Sequence, residues 1–216
     1  MRTALFLTVF FCLSAFNITA QDFYDNFSDG NFNVDPEWNG NTERFIVNGL
    51  SELQLNGDCA AGGTHYLSTS LSTLDSVAWE FSVRCTFDPS TSNYARVYLQ
   101  SNVPDLSGDV DGYYVRIGGE SGALDAVEIY RQQGATKTLV LRGTDGQAAV
   151  SPNLGIKVVR TADAIWNLYV DATGGTDYVF EGAASDNILN GGAFMGVVCT
   201  YTSTRCTAFY YDNFIA

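Results

Sequence analysis

The feature that most constrains this chain is the period of its apolar residues. In Trp79-Glu80-Phe81-Ser82-Val83-Arg84-Cys85 every second side chain is apolar. That is the pattern of a strand with one buried face; a helix would repeat its apolar stripe every three to four residues. Strand-like runs recur at Phe45-Ile46-Val47, Glu52 to Leu55, Val77 to Phe87, Ala95 to Gln100, Gly112 to Ile117 and Ala126 to Arg131. They continue through Thr138 to Arg142, Ile156 to Arg160, Ile165 to Asp171, Phe194 to Tyr201 and Thr207 to Ile215. Turn formers separate them, among them Gly118-Gly119, Gly143-Thr144-Asp145-Gly146, Gly174-Gly175 and Gly191-Gly192. So many short strands at this spacing predict an all-β chain folded as a two-sheet antiparallel β-sandwich. Parity also assigns faces. Trp79, Phe81, Val83 and Cys85 point inward, as do Trp166, Leu168 and Val170, and Trp38, in the loop-like Pro36-Glu37-Trp38-Asn39-Gly40, is expected to plug one end of the sandwich.

The first twenty residues stand apart from this pattern. Arg2, the apolar run from Ala4 to Phe16 and the small Ala20 before Gln21-Asp22 read as a secretory signal peptide. The mature domain then spans residues 21–216, with no linker or composition break inside it, and no later stretch is apolar enough to span a membrane. With 46% apolar and 16% charged residues the chain is neither disordered nor a coiled coil. Its 11 Lys+Arg against 24 Asp+Glu leave a net charge of −13, which excludes a nucleic-acid partner because phosphates would be repelled.

Export implies an oxidising compartment, and loss of Cys12 with the signal leaves Cys59, Cys85, Cys199 and Cys206. Four cysteines allow three connectivities. Cys199 and Cys206 flank a segment that reads as a hairpin end, which favours a Cys199–Cys206 bridge and a Cys59–Cys85 partner bridge. Zinc is not expected, since no C-x-x-C spacing occurs and the chain holds a single histidine.

Four segments carry a family likeness: Phe23-Tyr24-Asp25-Asn26-Phe27-Ser28-Asp29-Gly30, the run from Phe87 to Leu99, Asp111-Gly112-Tyr113-Tyr114-Val115-Arg116-Ile117-Gly118, and Phe209-Tyr210-Tyr211-Asp212-Asn213-Phe214. Together they resemble a concanavalin-like jelly roll, more narrowly the laminin-G-like module of secreted bacterial surface proteins. The resemblance covers essentially all of the mature chain. It implies a fold that hosts lectins, glucanases and inert spacers alike.

Glucanases of that superfamily carry a Glu-x-Asp strand motif that sets two carboxylates on one face for retaining hydrolysis. Here none of the seven Glu is followed two places on by Asp. Nucleophilic hydrolysis lacks a G-x-S-x-G elbow, and His65 sits in a glycine-rich stretch that reads as a solvated turn. Parity points Tyr94, Arg96, Tyr98, Tyr114, Arg116, Glu128 and Tyr130 outward from three neighbouring strands. The result is a Tyr and Arg stripe of the kind that stacks on sugars and bonds their hydroxyls. No cofactor is required, but glucanase relatives clamp their first and last strands with Ca²⁺. The matching positions here are Asp29, Gly30 and Asp212, with Asn26 where relatives often carry an acid. The acidic stretch from Asp105 to Gly112 departs from an EF-hand and reads as a solvated turn.

The resulting expectation is a secreted or cell-surface, non-catalytic adhesion module with polysaccharide or a surface glycan as its partner. Two alternatives stay open. One is a diverged glycoside hydrolase or lyase using Glu80 or Glu128 with Asp125; the other is a purely structural spacer.

Overall fold

Alternation in the sequence becomes alternation of burial: Trp79, Phe81, Val83 and Cys85 are buried, while Glu80, Ser82 and Arg84 between them keep contact with solvent. The computed structural model describes residues 23–71 and 76–216, so the expected signal peptide lies outside the described residues. Fifteen strands follow in chain order among the described residues: β1 (Tyr24–Asp25), β2 (Trp38–Gly40), β3 (Phe45–Val47), β4 (Leu53–Leu55), β5 (Gly63–Ser70), β6 (Val77–Cys85), β7 (Tyr94–Ser101) and β8 (Gly112–Gly118). They continue with β9 (Val127–Gln133), β10 (Thr136–Arg142), β11 (Asn153–Arg160), β12 (Ile165–Asp171), β13 (Val179–Ser185), β14 (Phe194–Tyr201) and β15 (Phe209–Ile215). Two antiparallel sheets result. One has the order β13-β12-β11-β6-β15-β4-β3, with β1 also on β15; the other has the order β10-β9-β8-β7-β14-β5-β2.

The inward faces form one core, in which Trp79 stacks on Trp166 at 5.9 Å and Tyr113 of the facing sheet closes on Trp166 at 4.2 Å. Burying aromatics of this size supplies much of the drive for bringing two sheets together. Trp38 is buried as expected, but from strand β2. It packs on Phe214 at 5.1 Å, and its indole N–H donates to Asp25 Oδ2 at 2.8 Å.

Four strands escaped the sequence reading: β1, β2, β5 and β13. The first two are too short to show a period. In β5 the glycine-rich approach hides an ordinary strand, so His65 lies in a ladder opposite Cys199, beside the Tyr201 ring at 5.7 Å, and not in a solvated turn. Burial, aided by Arg44, lowers its pKa. Edge strand β13 exposes Val179 and Phe180 side by side and has no alternation to read.

The cysteine expectation is corrected. Cys59 bonds Cys206, with Cα atoms 5.1 Å apart, and Cys85 and Cys199 are free and buried. The segment after Cys199 is no hairpin, because β14 belongs to one sheet and β15 to the other. Parity turns Cys199 into the core, where its thiol meets the Tyr211 hydroxyl at 3.1 Å, whereas Cys206 follows the 3₁₀ turn Ser203–Arg205.

Of the expected Asp29, Gly30 and Asp212 donors, both carboxylates are engaged by the next asparagine along the chain. Asp29 gives both carboxylate oxygens to Asn31, and Asp212 gives both of its own to Asn213. Among the described residues no three His, Cys, Asp or Glu side chains are grouped for a metal ion. Hydrogen bonding joins the first and last strands instead: Tyr24 pairs Ile215, Asp25 pairs Phe214, and Phe23 and Ala216 exchange two backbone bonds of 3.1 Å.

Asp212 yields a pH prediction. Burial, reinforced by the charges of Glu52 and Asp25, raises its carboxyl to about 6 from an ordinary 3.8, against the lowering effect of the Asn213 amide. The folded chain therefore holds a proton that the unfolded chain releases, and this contribution to stability is lost as pH rises from about 4 to 6. Asp212→Asn removes that slope. The Tm of the variant minus that of wild type should grow between pH 4 and 6 and stay level above; a difference that is flat throughout would refute the assignment.

Candidate functional site

The stripe expected from parity exists as two cross-strand rows on the outer face of the seven-stranded sheet. Tyr98, Tyr114 and Tyr130 are direct partners on β7, β8 and β9, with ring centroids 5.0 and 5.4 Å apart. Beside them Arg96, Arg116, Glu128 and Arg142 pair in register from β7 to β10. Arg116 lies over Tyr130 at 4.8 Å, and Arg96 stands 5.8 and 5.7 Å from the Tyr98 and Tyr114 rings. Cross-strand pairs of this kind stiffen a sheet face.

Exposure is where the structure departs from expectation. Tyr98 and Tyr114 are 0% and 2% exposed, because residues 102–111 fold back over them, and Arg96 beside them is 7% exposed. Leu106 and Val110 of that loop are fully buried against Tyr98, Tyr114 and Val198, so the acidic stretch is no solvated turn but a packed Ω-loop. The loop is seated by a gap in the sheet. A Cβ on Gly196 would stand 2.3 Å from the Leu67 backbone oxygen and 2.6 Å from Leu106 Cδ1, so glycine leaves the space that the leucine takes. Its ends are tied by Asn102 N–H donating to Asp111 O at 3.0 Å and Asp111 N–H to Asn102 Oδ1 at 2.9 Å. Its middle is held by Ser68 Oγ donating to Pro104 O at 2.7 Å and Gln132 Nε2 to Gly108 O at 3.2 Å.

What stays open is the strip beside the loop, where Tyr66, Tyr94, Arg116, Tyr130 and Thr200 are half-buried. Burial pushes the Tyr98, Tyr114 and Tyr130 hydroxyls up, so all three are neutral donors at physiological pH. Next to this strip Glu128 is buried between two guanidinium groups: Arg116 Nε reaches its Oε2 at 2.8 Å and Arg142 Nη1 its Oε1 at 2.5 Å. Glu120 braces both arginines, at 3.5 and 2.8 Å.

Of the carboxylates in the hydrolase alternative, Glu80 lies on a different sheet from Glu128. It is held by Lys157 at 2.7 Å and Tyr178 at 3.1 Å. Asp125 is buried, its pKa raised by that burial, and it accepts the Glu120 amide at 2.7 Å. Sequence reasoning missed a polar cleft of about 410 Å³ between the β11–β12 turn and the segment before β14, lined by Arg160, Asp163, Asn187 and Asn190 among others. Arg160 donates to Asn190 Oδ1 at 2.7 Å there. The amides and carboxylate of this cleft suit sugar hydroxyls, but loop asparagines have no period to betray them.

In sequence, no protein-family model and no curated protein matches the chain. In structure, it is similar to the carbohydrate recognition domain of Emp47p, with a TM-score of 0.60 at 10% identity over 88% of this chain and 90% of that one. It is also similar to the VIP36 exoplasmic/lumenal domain in a Ca²⁺/Man3GlcNAc-bound form, with a TM-score of 0.60 at 9% identity over 89% and 87% of the two chains. A legume lectin-like domain from Entamoeba histolytica matches with a TM-score of 0.53 at 9% identity over 84% and 88%. At such identities the likeness is one of fold. This chain has the concanavalin-like jelly-roll architecture of legume-lectin-like domains.

Proposed function

We propose that this domain is a non-catalytic carbohydrate-binding module of an exported protein, and that its ligand lies along the open strip of the seven-stranded sheet beside the 102–111 loop. The observation that carries this reading is the pairing of half-open Tyr66, Tyr94, Tyr130 and Arg116 with a wall that is already packed and hydrogen-bonded. Aromatic faces accept the C–H surfaces of sugars, guanidinium groups bond their hydroxyls, and a fixed wall spares the ordering cost of binding. The lectin-like folds above support the same ligand class, since their own names record carbohydrate recognition. Export is supported by the signal-like first twenty residues and by a disulfide, a bond that persists in oxidising compartments. Among the described residues no helix is long and apolar enough to cross a membrane.

A glycan array followed by calorimetric titration tests the reading, run with calcium and again with a chelator because VIP36 forms carry the ion. Tyr94 is half-buried at the start of β7 and is the ring to remove, since Tyr98 and Tyr114 are core residues of the loop contact. Tyr94→Ala is expected to weaken the best glycan about tenfold with Tm unchanged. Binding that survives this change and also Arg116→Gln would place the ligand elsewhere, with the 410 Å³ cleft next in line.

A further inference from the structure

Of the three arginines in the cross-strand row, two are matched by acids and one is not. Arg116 and Arg142 between them occupy Glu120, Glu128 and Asp145. Arg96 is left out. It is 93% buried by its 7% exposure, yet among the described residues no carboxylate pairs with it. Its one polar side-chain partner is the Tyr98 hydroxyl, 3.2 Å from Nη1, and its Nε has none. On one side its register partner is Arg116, a like charge; on the other it is the apolar Val198. In a chain with 24 acidic and 11 basic residues, a desolvated guanidinium without an acid is the least expected arrangement.

The group is also held in place. Tyr98 receives from Arg96 and donates onward to Gln132 Oε1 at 2.6 Å, and Gln132 Nε2 donates to Gly108 O and Gly134 O at 3.2 and 2.8 Å. This relay ties the guanidinium to the packed loop and fixes its orientation, while its neighbours Tyr94 and Arg116 belong to the open strip. A planar fork held still, with donors unspent and a second cation beside it, is built for a two-oxygen anion.

We propose that Arg96 is the anion-receiving group of this face and that the glycan bound is an acidic one, carrying a carboxylate or a sulfate on the sugar. This rests on the carbohydrate reading above and narrows its ligand class. Four probes separate the cases: a galacturonate oligosaccharide, its methyl ester, a sulfated galactose oligosaccharide and its desulfated form, with inorganic sulfate as a fifth. At least one charged sugar should bind about tenfold or more tighter than its neutral counterpart. Which of the two does so identifies the anion.

Arg96→Lys should lose about tenfold of that affinity because the charge remains without the fork, and Arg96→Met should lower it to the level of the neutral sugar. Melting supplies a readout independent of any ligand. An uncompensated buried charge replaced by an apolar side chain should raise Tm by about 2–4 °C in the absence of sugar. A comparable fall would make Arg96 a structural group and overturn the proposal. Charged and neutral sugars binding alike, with Arg96→Met leaving both unchanged, would sink the proposal while the carbohydrate reading stands. Inorganic sulfate binding without any sugar would mark an adventitious ion only and overturn it too. Silence in every arm and across the glycan array would remove both.

Discussion

Replacing Glu128 by Ala should cost about 3–5 kcal/mol, the usual effect of removing one partner from a buried charge cluster. Glu128 is 1% exposed and receives Arg116 on one oxygen and Arg142 on the other. Its loss leaves Arg116, Arg142 and the already unmatched Arg96 in one cross-strand row with Glu120 and Asp145 alone to oppose them. In a domain of this size the expected fall in Tm is on the order of 10 °C. Glu128→Gln keeps the shape and one acceptor, so it should fall between the two. Urea unfolding of the three proteins measures this directly. A loss below about 1 kcal/mol for the Ala variant would mean that the cluster is solvated in the manner of a surface ion pair.

That cluster also shows where reading from sequence stopped. The period of two placed Ala95, Val97 and Leu99 in the core and Tyr94, Arg96 and Tyr98 on the opposite face, and both assignments hold. Parity, however, gives direction and not exposure. Whether an outward side chain meets water depends on what the chain does elsewhere, and here the 102–111 loop covers Tyr98 and Tyr114. Two signals of this were present: Leu106 and Val110 set four apart inside an acidic stretch, and Gly196 interrupting the apolar run of β14. Each is ordinary alone; their meaning comes from the 2.6 Å approach that joins them. The Asn187 and Asn190 cleft was illegible for a different reason, since side chains on irregular segments are positioned by tertiary packing with no local repeat.

In the proposed carbohydrate-binding role, the covering loop changes how the face would work as well as how it looks. An open ladder of tyrosines would offer a broad, flat platform, whereas the buried pair anchors a wall and leaves a narrower strip of half-open groups. Tyr98 and Tyr114 thereby shift from contacts to supports. Tyr98 in particular orients Arg96 through its hydroxyl. Preorganisation of this kind narrows the range of acceptable ligands, because an oriented guanidinium rewards one geometry of anion and gives a neutral hydroxyl less.

Reducing the Cys59–Cys206 bond should lower Tm by about 10 °C, with a loss of about 3–5 kcal/mol. The bond closes a sequence separation of 147 residues, so it restricts the unfolded ensemble more than a short bridge would. Cys85 and Cys199 cannot substitute for it. Each is buried in the core, and burial raises both thiols, Cys199 to about 12, so neither offers a thiolate for exchange at neutral pH. A thiol-directed reagent should therefore leave the native, unreduced domain unmodified between residues 21 and 216. It should label two of the four cysteines there on unfolding, and all four on unfolding with reductant. Mass spectrometry of an unreduced digest then names the pair. A peptide joining Cys199 to Cys206 would require β14 to turn its core face outward at that residue, and with it the alternation that buries Val197 and Tyr201 in the same strand. Connectivity thus tests the register of β14 as well as the bond, and that strand is also the one whose Gly196 seats the loop beside the proposed binding strip.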